Sequence, residues 1–253
     1  MDSSFLLSCA LDIGEQMLIS GAEIYRVEDC IKRICLSYGM KRIDVFTITS
    51  SIVATLEDRD HRNITQTRRI SSYNTDLSKL DRLNQLSRDI CRNTPPLEEV
   101  HKRVKTIINT KKYPLPLECA TYGAIGAAFT VFFGGSINDA VVSFFIGMIL
   151  RLVVFVTGKS KVNQVFSSLI SSFVMCFAAF VCVNHIFGDS IDMIVIGNIM
   201  LLIPGVGLTN SLRDLISGDI MSGVLRLCEV VMIALSIAGG YILSALTIGG
   251  LGL

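Results

Sequence analysis

Residues 111–133 read KKYPLPLECATYGAIGAAFTVFF. Lys111, Lys112, Tyr113 and Pro114 give way at Leu115 to a run whose one charge is Glu118. Basic and aromatic residues suit the headgroup level of a bilayer, and the apolar run behind them is long enough to enter it. The stretch divides the chain into two chemistries. Residues 1–116 hold 18 Lys/Arg and 15 Asp/Glu, whereas residues 117–253 hold 5 and 7. The second part is too poor in charge to coat a water-soluble domain. With 51% hydrophobic residues and a mean hydropathy of +0.55, the chain is not a simple cytosolic globular protein. Its net charge of +1 carries no polyelectrolyte signature, so nucleic acid is not an expected partner.

Five apolar runs follow the junction, at 115–133, 140–157, 165–187, 191–203 and 224–246. A span needs about 20 residues to cross roughly 30 Å of hydrocarbon. Four runs qualify with their flanks. The fourth, 191–203, reaches full length only by passing through Pro204, Gly205, Val206 and Gly207. The expectation is an all-α transmembrane bundle of five spans, the fourth broken at Pro-Gly. Connectors 134–139 and 187–190 and the tail 247–253 lack Lys and Arg. Connector 158–164 carries Lys159 and Lys161, and 209–223 carries Arg213. The positive-inside rule then places the N-terminal part in the cytoplasm and the C-terminus outside, in a multi-pass protein of the cytoplasmic membrane. Ala120, Ala124 and Ala128 are four apart, as are Gly123 and Ala127, and Gly239-Gly240 sits in the last run. Such faces let helices approach closely. Arg151, near an inner end, is expected to snorkel.

The N-terminal side reads as an α+β domain over residues 1–114, ahead of the transmembrane domain at 115–253. A signal peptide is not expected at its start. Asp2 stands where a basic segment belongs, and Asp12 and Glu15 interrupt the apolar stretch. Leu6, Ala10, Ile13, Met17, Ile24, Val27, Ile31, Ile34 and Tyr38 recur at helical steps. They predict one long amphipathic helix, or two that meet at Gly21. Residues 43–49 and 51–56 are rich in β-branched side chains, and 63–70 alternates, so three strands are expected around a charged tip at 57–63. Leu77, Leu80, Leu83, Leu86 and Ile90 then form a helical stripe. Thr94 is placed as the cap of a last helix with Pro95 at its first position and Leu97, Val100, Val104 and Ile107 on its buried face.

Sites for chemistry are scarce. Glu57, Asp58, Asp60 and His61 could face a cation, but charges at a turn are commonly only solvated. Arg59 and Arg62 would oppose a cation, so no metal is expected. None of the eight cysteines forms a CxxC pair, and they read as small buried hydrophobes. His61, His101 and His185 are scattered, with no Ser/His/Asp or HExxH constellation, so an enzyme is not expected. Nor is a cofactor.

The informative stretch is 198–229, NIMLLIPGVGLTNSLRDLISGDIMSGVLRLCE. Pro204 removes a backbone donor and frees the carbonyl about one turn earlier, near Met200. Free backbone groups at membrane depth are tolerated only against protein or a water-filled cavity, and carriers use broken spans to hold small polar substrates. Asn198 precedes the break. Asn210, Arg213, Asp214 and Asp219 follow it, and Arg226 and Glu229 share a helical face. An Arg can hold a substrate carboxylate. Equally, Arg226–Glu229 and Arg213–Asp214 can be structural charges at an interface.

Two stretches resemble the threonine/serine exporter family, in its split form. One is Gly21-Ala22-Glu23-Ile24-Tyr25-Arg26-Val27-Glu28. The other is Ile203-Pro204-Gly205 with Asn210, Arg213-Asp214, Gly218-Asp219, Ser222-Gly223, Arg226 and Glu229. The layout of the whole chain agrees. The resemblance implies the larger subunit of a secondary transporter that exports small polar metabolites, threonine and serine or a dicarboxylate such as succinate. It implies a small membrane subunit as partner, and further copies of the chain are a second expectation. Coupling would be to an ion gradient, since no GxxxxGK[ST] phosphate loop is present. Substrate would bind near Pro204 and Gly205, with Asn198 and Asn210 as hydrogen-bonding groups. Arg213 or Arg226 would meet the carboxylate, and Asp214, Asp219 or Glu229 would relay protons or balance charge. Gly21, Glu23, Tyr25, Arg26 and Glu28 would form part of a gate or binding surface, or fix a helix bend and its ion pairs. The reading from another class is a membrane-anchored sensor whose cytoplasmic domain binds a small ligand.

Overall fold

The computed structural model describes residues 2–58, 60–71, 73–110, 113–160 and 162–251, with side chains through residue 249. Arg59, Lys111, Lys112 and Lys161, which carry parts of the tip, junction and connector readings, lie outside the described residues. The chain forms two compact units. One comprises Met1–Lys111 with Gly205–Cys228, the other Lys112–Pro204 with Glu229–Leu253.

The first unit is built on α1 (Ser3–Ile19) and α2 (Ile24–Ser37). Nearly every side of α1 is apolar, and it is buried on nearly every side, as such a helix must be. Helix α2 is amphipathic and lays Ile24, Val27, Ile31 and Ile34 on that core. The two pack closely at Gly14, where an added methyl would stand 2.6 Å from Ile31 Cδ1. Strands β1 (Arg42–Ile48), β2 (Ser51–Glu57) and β3 (Asn63–Arg69) form an antiparallel meander in the order β1-β2-β3. Ile52, Ala54 and Leu56 of β2 point into the core, while β3 alternates between exposed and half-buried. Helices α3 (Leu77–Asn93) and α4 (Leu97–Ile108) complete this core.

Thr94 does not cap α4. It ends α3 in the left-handed region at φ 42°, and α4 starts after Pro96. Pro95 disfavours the right-handed helical region at Thr94, and Pro96 does the same at Pro95, so no helix can run through them.

The second unit contains α5 (Leu115–Phe132), α6 (Ile137–Lys159), α7 (Gln164–His185) and α8 (Ile191–Ile199). Backbones meet at small residues, as the spacing of Gly123 anticipates. A methyl on Gly123 would lie 2.5 Å from the Phe144 carbonyl, and one on Gly147 2.7 Å from that of Tyr122. Helix α9 (Gly205–Ile216) belongs to the first unit. Helix α10 (Ile220–Leu251) begins in the first unit and continues into the second, where Gly240 packs on the backbone of Leu169.

Two expectations about the fold are corrected. Among the described residues four helices, not five, are long and apolar enough to cross a membrane: Leu115–Phe132, Ile137–Lys159, Gln164–His185 and Ile220–Gly249. The fourth run is no span. Helix α8 has 9 residues, about 14 Å at 1.5 Å per residue, roughly half of a bilayer core. Its end tightens through Leu201 N–H to Asn198 O and Leu202 N–H to Ile199 O. Pro204 then bars helical continuation, so the chain restarts at Gly205 as a separate amphipathic helix. With the odd count gone, so is the argument that put the C-terminus outside. The separate N-terminal α+β domain is corrected as well, because the unit that holds the sheet also takes in Gly205–Cys228. The fold is mostly helical, with one small sheet.

Candidate functional site

The corner between α1 and α2 is set by backbone chemistry. Gly21 stands at φ +97°, a conformation that side chains rarely adopt. Gly21 N–H donates to Leu18 O at 3.2 Å and Ala22 N–H to Met17 O at 3.0 Å, the paired bonds of a glycine-ended helix. Of the two readings of the sequence, two helices meeting at Gly21 is the one realised. Glu23 stands at the N-cap of α2 but its side chain makes no capping bond.

Groups from α9 and α10 fill that gap. Asp214 Oδ1 accepts from Ile24 N–H at 3.2 Å, so a carboxylate from 190 residues away caps α2. A negative group is favoured there by the helix dipole. Asn210 Nδ2 donates to Gly21 O at 2.8 Å. Arg213 pairs with Glu23, whose second oxygen meets Arg26 Nε at 3.2 Å. Arg226 Nη1 lies 3.4 Å from Asp214 Oδ2, and its guanidinium carbon stands 5.9 Å from the centre of the Tyr73 ring. Asp214 is 0% exposed, Glu23 4%, Asn210 7% and Arg226 7%. Asp214 Oδ2 and Arg226 Nη1 face each other as an ion pair without a hydrogen bond. Helix α9 closes as α1 does, with Gly218 at φ +96° and Asp219 N–H on Asp214 O at 2.9 Å.

Burial pushes the Asp214 carboxyl above its ordinary value. Arg226 and the Ile24 N–H pull it back, while Asp219 and Glu23 push it further up. Glu28 is also raised by burial, against the pull of Lys32 and of the Thr47 N–H that it accepts at 2.8 Å. That bond ties α2 to β1.

The second unit has polar groups of another kind. Thr130 and Ser143 share a hydrogen bond of 2.6 Å, and both are 0% exposed. Asn198, also fully buried, donates to Ile194 O at 3.0 Å. Its Oδ1 has no hydrogen-bond partner among the described residues and lies against Gly126, where a methyl would come within 2.6 Å of it. Asp139 anchors two loops. Its carboxylate accepts from the N–H groups of Asp189 at 2.7 Å, Ser190 at 3.0 Å and Ser136 at 3.0 Å. Arg151, expected to snorkel, instead pairs with Glu118, 3.0 Å from its Nε, and its guanidinium stands over Tyr122.

The structure thus joins Gly21, Glu23 and Arg26 to Asn210, Arg213, Asp214 and Arg226, two stretches the sequence reading kept apart. Tyr25 and Glu229 are exposed, Gly205 is exposed and Pro204 half-buried, and Asp219 is half-buried. Asn198 belongs to the other unit. Sequence reasoning missed Tyr73 and Asp139. Ser136 and Asp139 have the Ser-x-x-acid spacing of a capping box, a legible signal; Tyr73 has none. Two clefts of about 670 and 480 Å³ in the first unit contain none of the anticipated residues. Among the described residues no three His, Cys, Asp or Glu side chains are placed to hold a metal.

Comparison with known proteins agrees with the family resemblance. A family profile described as threonine/serine exporter matches residues 8–249. The "Probable threonine/serine exporter" of Mycobacterium tuberculosis is 25% identical over 246 residues, 94% of this chain and 45% of that protein. The "Threonine/serine exporter" of Corynebacterium glutamicum is 21% identical over 242 residues, 93% of this chain and 50% of its own length. The chain therefore spans about half the length of these two relatives. The "Probable succinate transporter subunit YjjP" of Klebsiella aerogenes is 23% identical over 246 residues, 97% of this chain and 93% of that one. No solved structure matches the chain.

Proposed function

The chain belongs to the threonine/serine exporter family, and from that premise we propose that it is the larger subunit of a two-part secondary exporter of small polar metabolites. Threonine and serine are the substrates named for two relatives and succinate for the third. A small membrane subunit would complete the carrier. Two supports converge here: the chain spans about half of the two relatives named exporters, and nearly the whole of one named a subunit. The first unit, with its basic residues, faces the cytoplasm in this reading.

The observation that carries the site is the buried Asp214–Arg226 pair beside Asn210 and the 21–24 corner. Arg226 is the group proposed to take a substrate carboxylate, because its Nη1 has no hydrogen-bond partner among the described residues. Arg213 is committed to Glu23 and Asn210 to Gly21, so they hold the site's walls. Asn198, Pro204, Gly205, Asp219 and Glu229 remain proposed members of the substrate path.

Radiolabelled efflux from cells without their own exporters tests this. Threonine, serine and succinate are loaded, with the chain alone and beside a candidate small membrane subunit. Efflux is expected only with both. Arg226→Ala should abolish it while the protein still inserts. Normal efflux by that variant removes Arg226 from the site.

A further inference from the structure

Among the acidic groups of the first unit, Asp214 has an arrangement of its own. It is wholly buried, and each of its oxygens holds a different element. Oδ1 takes the first N–H of α2, and Oδ2 faces Arg226 of α10 across 3.4 Å. Among the described residues neither Oδ2 nor Arg226 Nη1 has a hydrogen-bond partner, and the two attach as an ion pair. By contrast, α9 is also fixed to the 21–23 corner by two bonds that do not involve Asp214, those of Asn210 and Arg213.

We propose that Asp214 is the proton-binding residue of the carrier, a latch that holds Arg226 when ionised and releases it when protonated. This rests on the transport reading for its purpose but not for its physics. A buried guanidinium whose counter-ion is neutralised is strongly disfavoured, and it must move to water or to another anion. The carboxylate of a substrate is such an anion. The Ile24 contact weakens in the same step, because a neutral carboxyl accepts less strongly than a carboxylate. Asn210 and Arg213 keep α9 in place meanwhile, so the released element is the start of α10. One proton taken up thus exposes one cation, which couples protonation to anion binding at a single residue pair.

The charged groups around Asp214 suit this role. Arg226 on α10 holds the ionised form. Glu23 at the head of α2 and Asp219 after α9 oppose it, and burial opposes it most. Glu23 is itself engaged by Arg213 and Arg26, and the Tyr73 ring lies beside Arg226. The balance is between the Arg226 cation on one side and burial with two carboxylates on the other, which places the titration above that of a surface Asp.

Hydrogen exchange of the full chain in lipid nanodiscs, without substrate or second subunit, reads the latch directly. After correction for intrinsic rates, protection at 220–228 and at the Ile24 amide should fall as pH is lowered. The slope should approach about tenfold per pH unit, the limit for one proton. Asp214→Asn keeps an oxygen for Ile24 but no charge, and should show low protection at 220–228 with no pH dependence. Asp214→Glu should keep the dependence with a shifted midpoint. A wild-type response that survives in Asp214→Asn overturns the proposal, as does a flat wild type. Should Asp214→Asn fail to fold, an unmoved midpoint in Asp214→Glu overturns it and a moved one supports it. Flat exchange removes the latch and leaves transport standing; pH-dependent exchange in a chain that never supports efflux does the reverse.

Discussion

The two units solve the problem of buried polar groups in opposite ways. In the first, the 21–24 corner is held by formal charges: Glu23 with Arg213 and Arg26, Asp214 with Arg226. In the second, the fully buried groups at the helix contacts are neutral. Thr130 bonds Ser143, Ser172 bonds the Ile237 carbonyl, and Asn198 bonds its own helix. Bilayer energetics accounts for the contrast. A charge near the middle of a hydrocarbon layer is costly, whereas hydroxyls and amides can be satisfied by helix backbones. Among the described residues, the formal charges that the second unit does bury or half-bury, Asp139 and the Arg151–Glu118 pair, are satisfied by loop amides or by each other.

The sharpest way to break this comparison is at Arg226. Arg226→Met strands a buried carboxylate and should lower stability by about 3–5 kcal/mol. Adding Asp214→Leu should recover most of that loss. Denaturant unfolding in detergent reads both, and a double variant as weak as the single one means the pair is not the unit of stability. Next comes Asp139→Ala, which leaves three loop N–H groups without their acceptor and should lower stability by about 3 kcal/mol; Asp139→Asn should lose less. The neutral side is probed by Gly126→Ala, expected to lose about 1–3 kcal/mol because the methyl meets Asn198 Oδ1. Asn198→Ala in the same chain should relieve part of the loss, and strict additivity would show that the two do not meet. Gly21→Ala should follow at about 1–2 kcal/mol from its positive φ alone.

The smallest effect is the pH dependence of stability. Asp214 and Glu28 are both raised above their unfolded values, with burial the leading cause. The native state therefore holds their protons to higher pH than the unfolded chain does. Their contribution to stability is full below the ordinary carboxylate pKa and is lost as pH rises through the raised one. Melting temperatures across that window should decline less steeply in Asp214→Asn than in the wild type. Equal slopes would assign the decline to other groups.

The helical stripe from Leu6 to Ile34, the three strands and the long apolar runs were legible because each follows a local period that burial enforces. Gly21, Pro204 and Gly218 were legible as breaks because each restricts its own backbone. The family could be read from the two quoted stretches. The sequence alone could not tell a broken span from two short helices, because that depends on which unit each half packs into. Nor could it tell that Asp214 caps α2 or that Arg226 has a counter-ion. Those contacts join residues up to 190 positions apart. No periodicity reaches across such a separation, and only the packed structure supplies the partner that makes a buried charge tolerable.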